Sequence, residues 1–95
     1  MQIKYTGIAF AALTQLVNFI ESLNTEGAGL RWLNKFEVFL QKKFTDTAKF
    51  SVCNNKTFRA AGLYCINYND WVIAFSRHEN GILIETILHS SRIVD

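Results

Sequence analysis

Residues 71–92 read WVIAFSRHENGILIETILHSSR, two apolar runs on either side of a polar turn at Asn80-Gly81. Asn-Gly tolerates the positive φ angles that a two-residue hairpin turn imposes, so the segment predicts a β-hairpin. Its second run ends in His89, Ser90, Ser91 and Arg92. A strand that leaves in this way carries a titratable ring and a guanidinium to the rim of a sheet, where an acidic partner or a polyanion can be met. Alternation in the second run is blurred: Ile82, Ile84 and Leu88 lie on one face, but Leu83 and Ile87 make the other apolar too. A strand apolar on both faces predicts a central place in the sheet.

Working back along the chain, residues 50–53 and 58–68 favour strand, with turns at Asn54-Asn55-Lys56 and at residues 67–70. Before Thr45-Asp46-Thr47 the period changes. Ala9, Leu13, Leu16, Val17, Ile20 and Leu23 recur at spacings of three and four, one face of an amphipathic helix with Gln15, Asn18, Glu21 and Ser22 outward. Thr6 is placed to cap its start. Leu30, Leu33, Phe36, Val38, Phe39, Leu40 and Phe44 mark a second helix, with Lys42 and Lys43 in the last turn, where cations complement the helix dipole. The break around Asn24-Thr25 is short, which predicts an antiparallel helical hairpin. Residues 2–6 alternate and make a first strand. The expected fold class is α+β: strand–helix–helix–three or four antiparallel strands, with the helical hairpin packed on one sheet face.

Composition sets the limits. Ninety-five residues, 49% hydrophobic and 14% aromatic, suit a single domain over residues 1–95 whose core requires no metal, cofactor or disulfide. No run reaches the roughly 18 apolar residues of a membrane span, and residues 2–5 lack the pattern of a signal peptide. A cytoplasmic protein is expected. Cys53 and Cys65 have neither CxxC spacing nor paired histidines, so zinc is not expected and both read as buried free thiols. A net charge of +2 does not announce nucleic-acid binding. Beyond Lys49, Lys56, Arg59, Arg77 and Arg92 are balanced by Asp70, Glu79, Glu85 and Asp95, so any basic patch must be made by folding.

The element order, Gly62-Leu63 before a strand, DWVIAFS at residues 70–76, the Asn80-Gly81 turn and the ending ILHSSR at residues 87–92 together resemble the RelE/ParE superfamily of bacterial plasmid-stabilisation toxins, the ParE branch most of all. The likeness is in wording over the last third and in element order over the whole chain. It departs from the family pattern at Tyr64, where an arginine is usual. Phe75-Ser76 also stands where an aromatic-arginine pair closes the strand, and Ile93 follows Arg92 in place of an aspartate. The resemblance implies a toxin of a toxin–antitoxin pair, neutralised by an acidic, partly disordered antitoxin and acting by binding DNA gyrase. In the RelE branch it implies a ribosome-dependent endoribonuclease that cuts mRNA through the 2′-hydroxyl. A degenerate, non-toxic interaction domain is the third reading.

Under the binding reading, Arg59, Arg77 and Arg92 select acidic partners and Trp32, off the helical stripe, offers an aromatic anchor. A homodimer is a further partner state. Under the nuclease reading, His89, Arg92, Arg77 and Lys56 supply the proton carrier and the cations around the phosphate. Each residue also has a plain structural role to weigh. His89 could be satisfied by a backbone carbonyl and Arg92 by Glu85 or Asp95. Residues 77–79 and the Lys56–Arg59 pair could be solvated surface, and Trp32 could plug the gap between helix and sheet. The sparse basic set favours binding over ribosome-bound catalysis.

Overall fold

The computed structural model describes residues 2–45 and 50–92. Its elements are β1 (Gln2–Tyr5), α1 (Gly7–Leu23), α2 (Ala28–Thr45), a short α3 (Lys56–Ala60), β2 (Tyr64–Tyr68), β3 (Trp71–His78), β4 (Gly81–His89) and a 3-10 turn, Ser90–Arg92. The class is α+β, a four-stranded sheet in the order β1-β4-β3-β2 with two helices packed on it. The β3–β4 hairpin forms as expected, but its two-residue turn is Glu79-Asn80, one place earlier than expected. Gly81 is already paired to His78 as the first residue of β4 and carries the positive φ; β4 is central.

The sheet is mixed, however, because β1 runs parallel to β4. Wholly antiparallel pairing was the expectation. β1 is joined to β4 only through α1, α2, α3, β2 and β3, and so long a connection allows parallel strands that a tight turn cannot. The blurred alternation of β4 also has a different cause from covered faces. The register between β3 and β4 shifts at Ala74/Phe75, leaving Glu85 as an additional residue. The core side therefore takes Ile82 and Ile84, then Ile87, with the parity changed by the bulge.

Thr6 caps α1 by accepting from the Ala9 N–H at 3.1 Å, while its own hydroxyl donates to the Glu85 carbonyl at 2.7 Å. One residue thus starts the helix and fastens it to β4. Ala9, Leu13 and Leu16 bury the inner face, but Leu23, expected in that stripe, is 66% exposed, as are Leu30 (66%) and Val38 (54%) of α2. Glu21, expected outward, turns to α2. Its carboxylate accepts from the Gly27 and Gly29 N–H groups at 2.8 Å each and so satisfies two donors at the start of that helix. These bonds, the Gly29 one foremost, hold its carboxyl below the usual glutamate range. Gly29 is required here: a Cβ would stand 2.7 Å from the Val17 carbonyl oxygen, so the helices could not close to this distance with a side chain.

Phe36, Leu40, Phe44, Ile73, Phe75 and Ile84 form the centre of the core between helices and sheet. Tyr5 lies at its margin, where burial and then Glu37 push the phenol up. The segment leading to β2 differs most from expectation. Residues 50–53 make only a single bridge, Val52 to Tyr64. Residues 58–62 are not strand, because Asn55 accepts from the Phe58 N–H at 3.0 Å and nucleates α3. Asn54-Asn55-Lys56, read as a turn, is a helix start. Cys53 and Cys65 are joined in a disulfide, Cα–Cα 4.8 Å, and are not free thiols. The bridge pins this segment to the sheet face opposite α1 and α2, where Cys53, Leu63 and Ala74 form a second small core with Phe58. A reading along the chain cannot see that pairing, since it depends on α3 folding the segment back against β2.

Candidate functional site: the open rim beside beta2

The hairpin brings the start of β3 and the end of β4 to one rim of the sheet. There Trp71 pairs with His89, their rings edge to face at 5.1 Å. The Ser90 N–H donates to the Asp70 carbonyl at 2.8 Å and fastens the exit of β4 to the β2–β3 turn. His89 is half-buried and turned toward its own strand end: the Ser91 N–H donates to Nδ1 at 3.2 Å, with the Ser91 hydroxyl 2.8 Å from the same nitrogen. Nδ1 is thereby an acceptor, which leaves Nε2 to carry the ring proton. His89 is thus satisfied by Ser91 and not by a carbonyl. Arg92 closes the 3-10 turn; its side chain lies outside the described residues, as does Asp95, so the expected pairing between them does too.

Beside this rim a groove of about 800 Å³ opens along β2, lined among others by Asn54, Asn67, Asn69, Asp70, Trp71 and Ser90. β2 is an outer strand of the sheet. Among the described residues its free edge is covered at the start only, where the Cys65 N–H donates to the Ser51 carbonyl and the Cys53 N–H to the Leu63 carbonyl. Asn67, further along, is exposed. Amide side chains around an aromatic wall suit hydrogen-bonded recognition of an extended polar segment.

The remaining predicted residues lie elsewhere. Arg77 is at the other end of β3, opposite Ile82, with its guanidinium 5.7 Å from the Phe50 ring centre and 6.0 Å from that of Tyr64. Six residues of strand separate it from Trp71 and hence from His89, about 20 Å. Arg59 is exposed but donates from Nε to the Cys53 carbonyl (3.2 Å) and from Nη2 to that of Asn54 (2.8 Å), bracing the disulfide segment. Lys56 is exposed at the first position of α3. Trp32 is half-buried, stacked on Phe36 at 5.1 Å and edge-on to Tyr68 at 5.8 Å, so it fills the gap between α2 and β2. Of the nuclease set His89, Arg92, Arg77 and Lys56, His89 and Arg77 are therefore not gathered at a single point.

One cluster escaped sequence reading. On the sheet face away from α1 and α2, the Ser76 hydroxyl donates to Glu85 Oε2 at 2.8 Å and lies 2.9 Å from His78 Nε2. Ser76 and His78 stand two apart on a strand, a spacing that places them on one face, whereas Glu85 joins them through the bulge. With the Ser76 O–H donated to the carboxylate, the imidazole is the donor to Ser76 Oγ, the reverse of nucleophile activation. Among the described residues no three His, Cys, Asp or Glu side chains converge to hold a metal, and no helix is long and apolar enough to cross a membrane. No family model matches the chain, and neither does any curated protein sequence.

Proposed function

We propose that this chain is the toxin component of a bacterial type II toxin–antitoxin pair, ParE-like, which binds and inhibits DNA gyrase and is neutralised by a cognate acidic antitoxin. The observation that carries the reading is the arrangement strand–helix–helix–meander, in which the ILHSSR ending emerges at an open rim beside a recognition groove. Binding is favoured over ribosome-dependent mRNA cleavage by the distance between His89 and Arg77. Cleavage requires the proton carrier and the cations around one phosphate, whereas an interface can use residues spread over a surface. The proposal places the chain in the cytoplasm. There glutathione keeps thiols reduced, so Cys53 and Cys65 would meet gyrase as a dithiol.

Induction of the chain in a bacterial host, with and without its neighbouring reading frame, tests the proposal. Growth arrest, intact mRNA and loss of gyrase supercoiling by the purified chain are expected, with relief by an acidic partner. mRNA cut within ribosomes would transfer the assignment to the RelE-like reading. Unaffected growth and supercoiling would overturn both and leave the non-toxic interaction domain.

A further inference from the structure

We infer that α1 is a self-association surface through which two copies of this chain pair antiparallel about a two-fold axis. The inference is independent of the toxin reading. Among the 17 residues of α1, Glu21 alone is charged, and it is engaged with α2. The outward face of α2, by contrast, mixes the exposed Leu30 and Val38 with Arg31, Asn34, Lys35, Glu37 and Gln41, all exposed. Ile8 is 72% exposed, Phe19 57% and Leu23 66%. At about 100° per residue these three share a stripe with Ala12 and Gln15, whereas Phe10, 62% exposed, lies on the other side of the helix. Val17 and Glu21, which meet the start of α2, lie on the opposite side of the helix. The stripe is therefore the free flank of the helical layer.

Its spacing, 8-12-15-19-23, follows one side of the helix, and it is self-complementary. Antiparallel pairing centred between Gln15 and Leu16 sets Ile8 against Leu23 of the second copy and Ala12 against Phe19, small against large. The two Gln15 amides meet near the axis, where each can donate to the other. An isologous interface requires such reciprocity; a heterologous partner does not. The exposed parts of Ile8, Phe19, Leu23 and Gln15 offer roughly 450 Å² per copy, or roughly 900 Å² over the pair. That is near the lower bound of about 1,000 Å² for a specific interface, so the dimer is reversible and concentration-dependent. A membrane surface is the poorer occupant, because α1 has no Lys or Arg to meet lipid headgroups.

Sedimentation velocity from about 5 to 500 micromolar tests the proposal, with circular dichroism to verify folding of each variant. The wild-type chain should pass from monomer toward dimer across that range. Ile8→Lys alone and Leu23→Glu alone should each raise the dissociation constant at least tenfold, since each sets a charge against an apolar side chain. An equimolar mixture of the two should recover the dimer, because the mixed pair places lysine opposite glutamate at one site and retains Leu23 opposite Ile8 at the other. Val38→Lys, on α2, should leave association unchanged. A chain monomeric throughout, a dimer indifferent to both charges, or singly charged variants that fail to recover on mixing would each overturn the proposal. So would capture of α1 by a different protein in preference to a second copy.

Discussion

Reducing the Cys53–Cys65 disulfide should lower stability by about 3 kcal/mol. The cysteines are 12 residues apart, and closing a loop of that length in the unfolded chain removes entropy worth about 3 kcal/mol at 25 °C. For a chain of 95 residues, with a urea slope of about 1 kcal/mol per molar, the unfolding midpoint should fall by about 2.5–3 M. Trp32 and Trp71, both half-buried against the core, report the transition by fluorescence with and without reductant. Cys53→Ala with Cys65→Ala serves as a second route to the open loop. It should lie below the reduced wild type by about another 1 kcal/mol, since Cys53 is 1% exposed and its sulfur fills space beside Leu63 and Ala74. A midpoint that moves by less than about 0.5 M on reduction would refute the reasoning. The segment held by the bridge would then be fixed as firmly by α3 and the Arg59 hydrogen bonds alone.

Gly81→Ala should cost about 2–3 kcal/mol and release β1, because the new Cβ would stand 2.0 Å from the Gln2 carbonyl oxygen; hydrogen exchange at residues 2–5 should rise to that of an unpaired strand. Trp32→Ala should destabilise by about 2–3 kcal/mol in thermal or urea unfolding through the lost stack on Phe36, a cost that a purely partner-facing tryptophan would not show. Glu21 has a folded pKa below its unfolded one. Its contribution is therefore present above the unfolded value near 4.5 and lost as pH falls through the folded value. Glu21→Gln should lower the melting temperature at neutral pH and flatten the acid side of its pH dependence. His89→Ala with Arg92→Ala should leave folding intact, and an insoluble double variant would show that the rim residues are structural.

What was legible in the sequence was whatever depends on neighbours along the chain. The cap at Thr6 and the two helices follow from local turn chemistry and periodicity and appear where expected, and the hairpin forms with its turn one residue early, at Glu79-Asn80. What was hidden depends on contacts between distant segments. The disulfide exists because α3 returns residues 50–63 to β2, and α3 itself begins at an Asn pair that reads equally well as a turn. The bulge at Glu85 imitates a doubly covered strand, since one added residue reverses the parity of all that follow. For the site, residue types were legible and their gathering was not. His89 reaches the rim, but Arg77 lies at the far end of the same hairpin and Arg59 is engaged with backbone carbonyls. Ser76, His78 and Glu85 could have been suspected only as a strand pair, not as a trio.

The parallel seating of β1 against β4 has a kinetic consequence. Thr6 and Glu85 meet across 79 residues, and closing a loop of that length costs roughly 4 kcal/mol of chain entropy before any contact is gained. The hairpin of β3 and β4 requires only a two-residue turn, so it forms the platform and the N-terminal strand arrives late. Changes along the β1–β4 register should therefore accelerate unfolding while leaving the refolding rate nearly untouched. Until that arrival, Ile82, Leu83 and Ile84 present an unpaired apolar edge to other chains. Losses during refolding at high protein concentration should begin there.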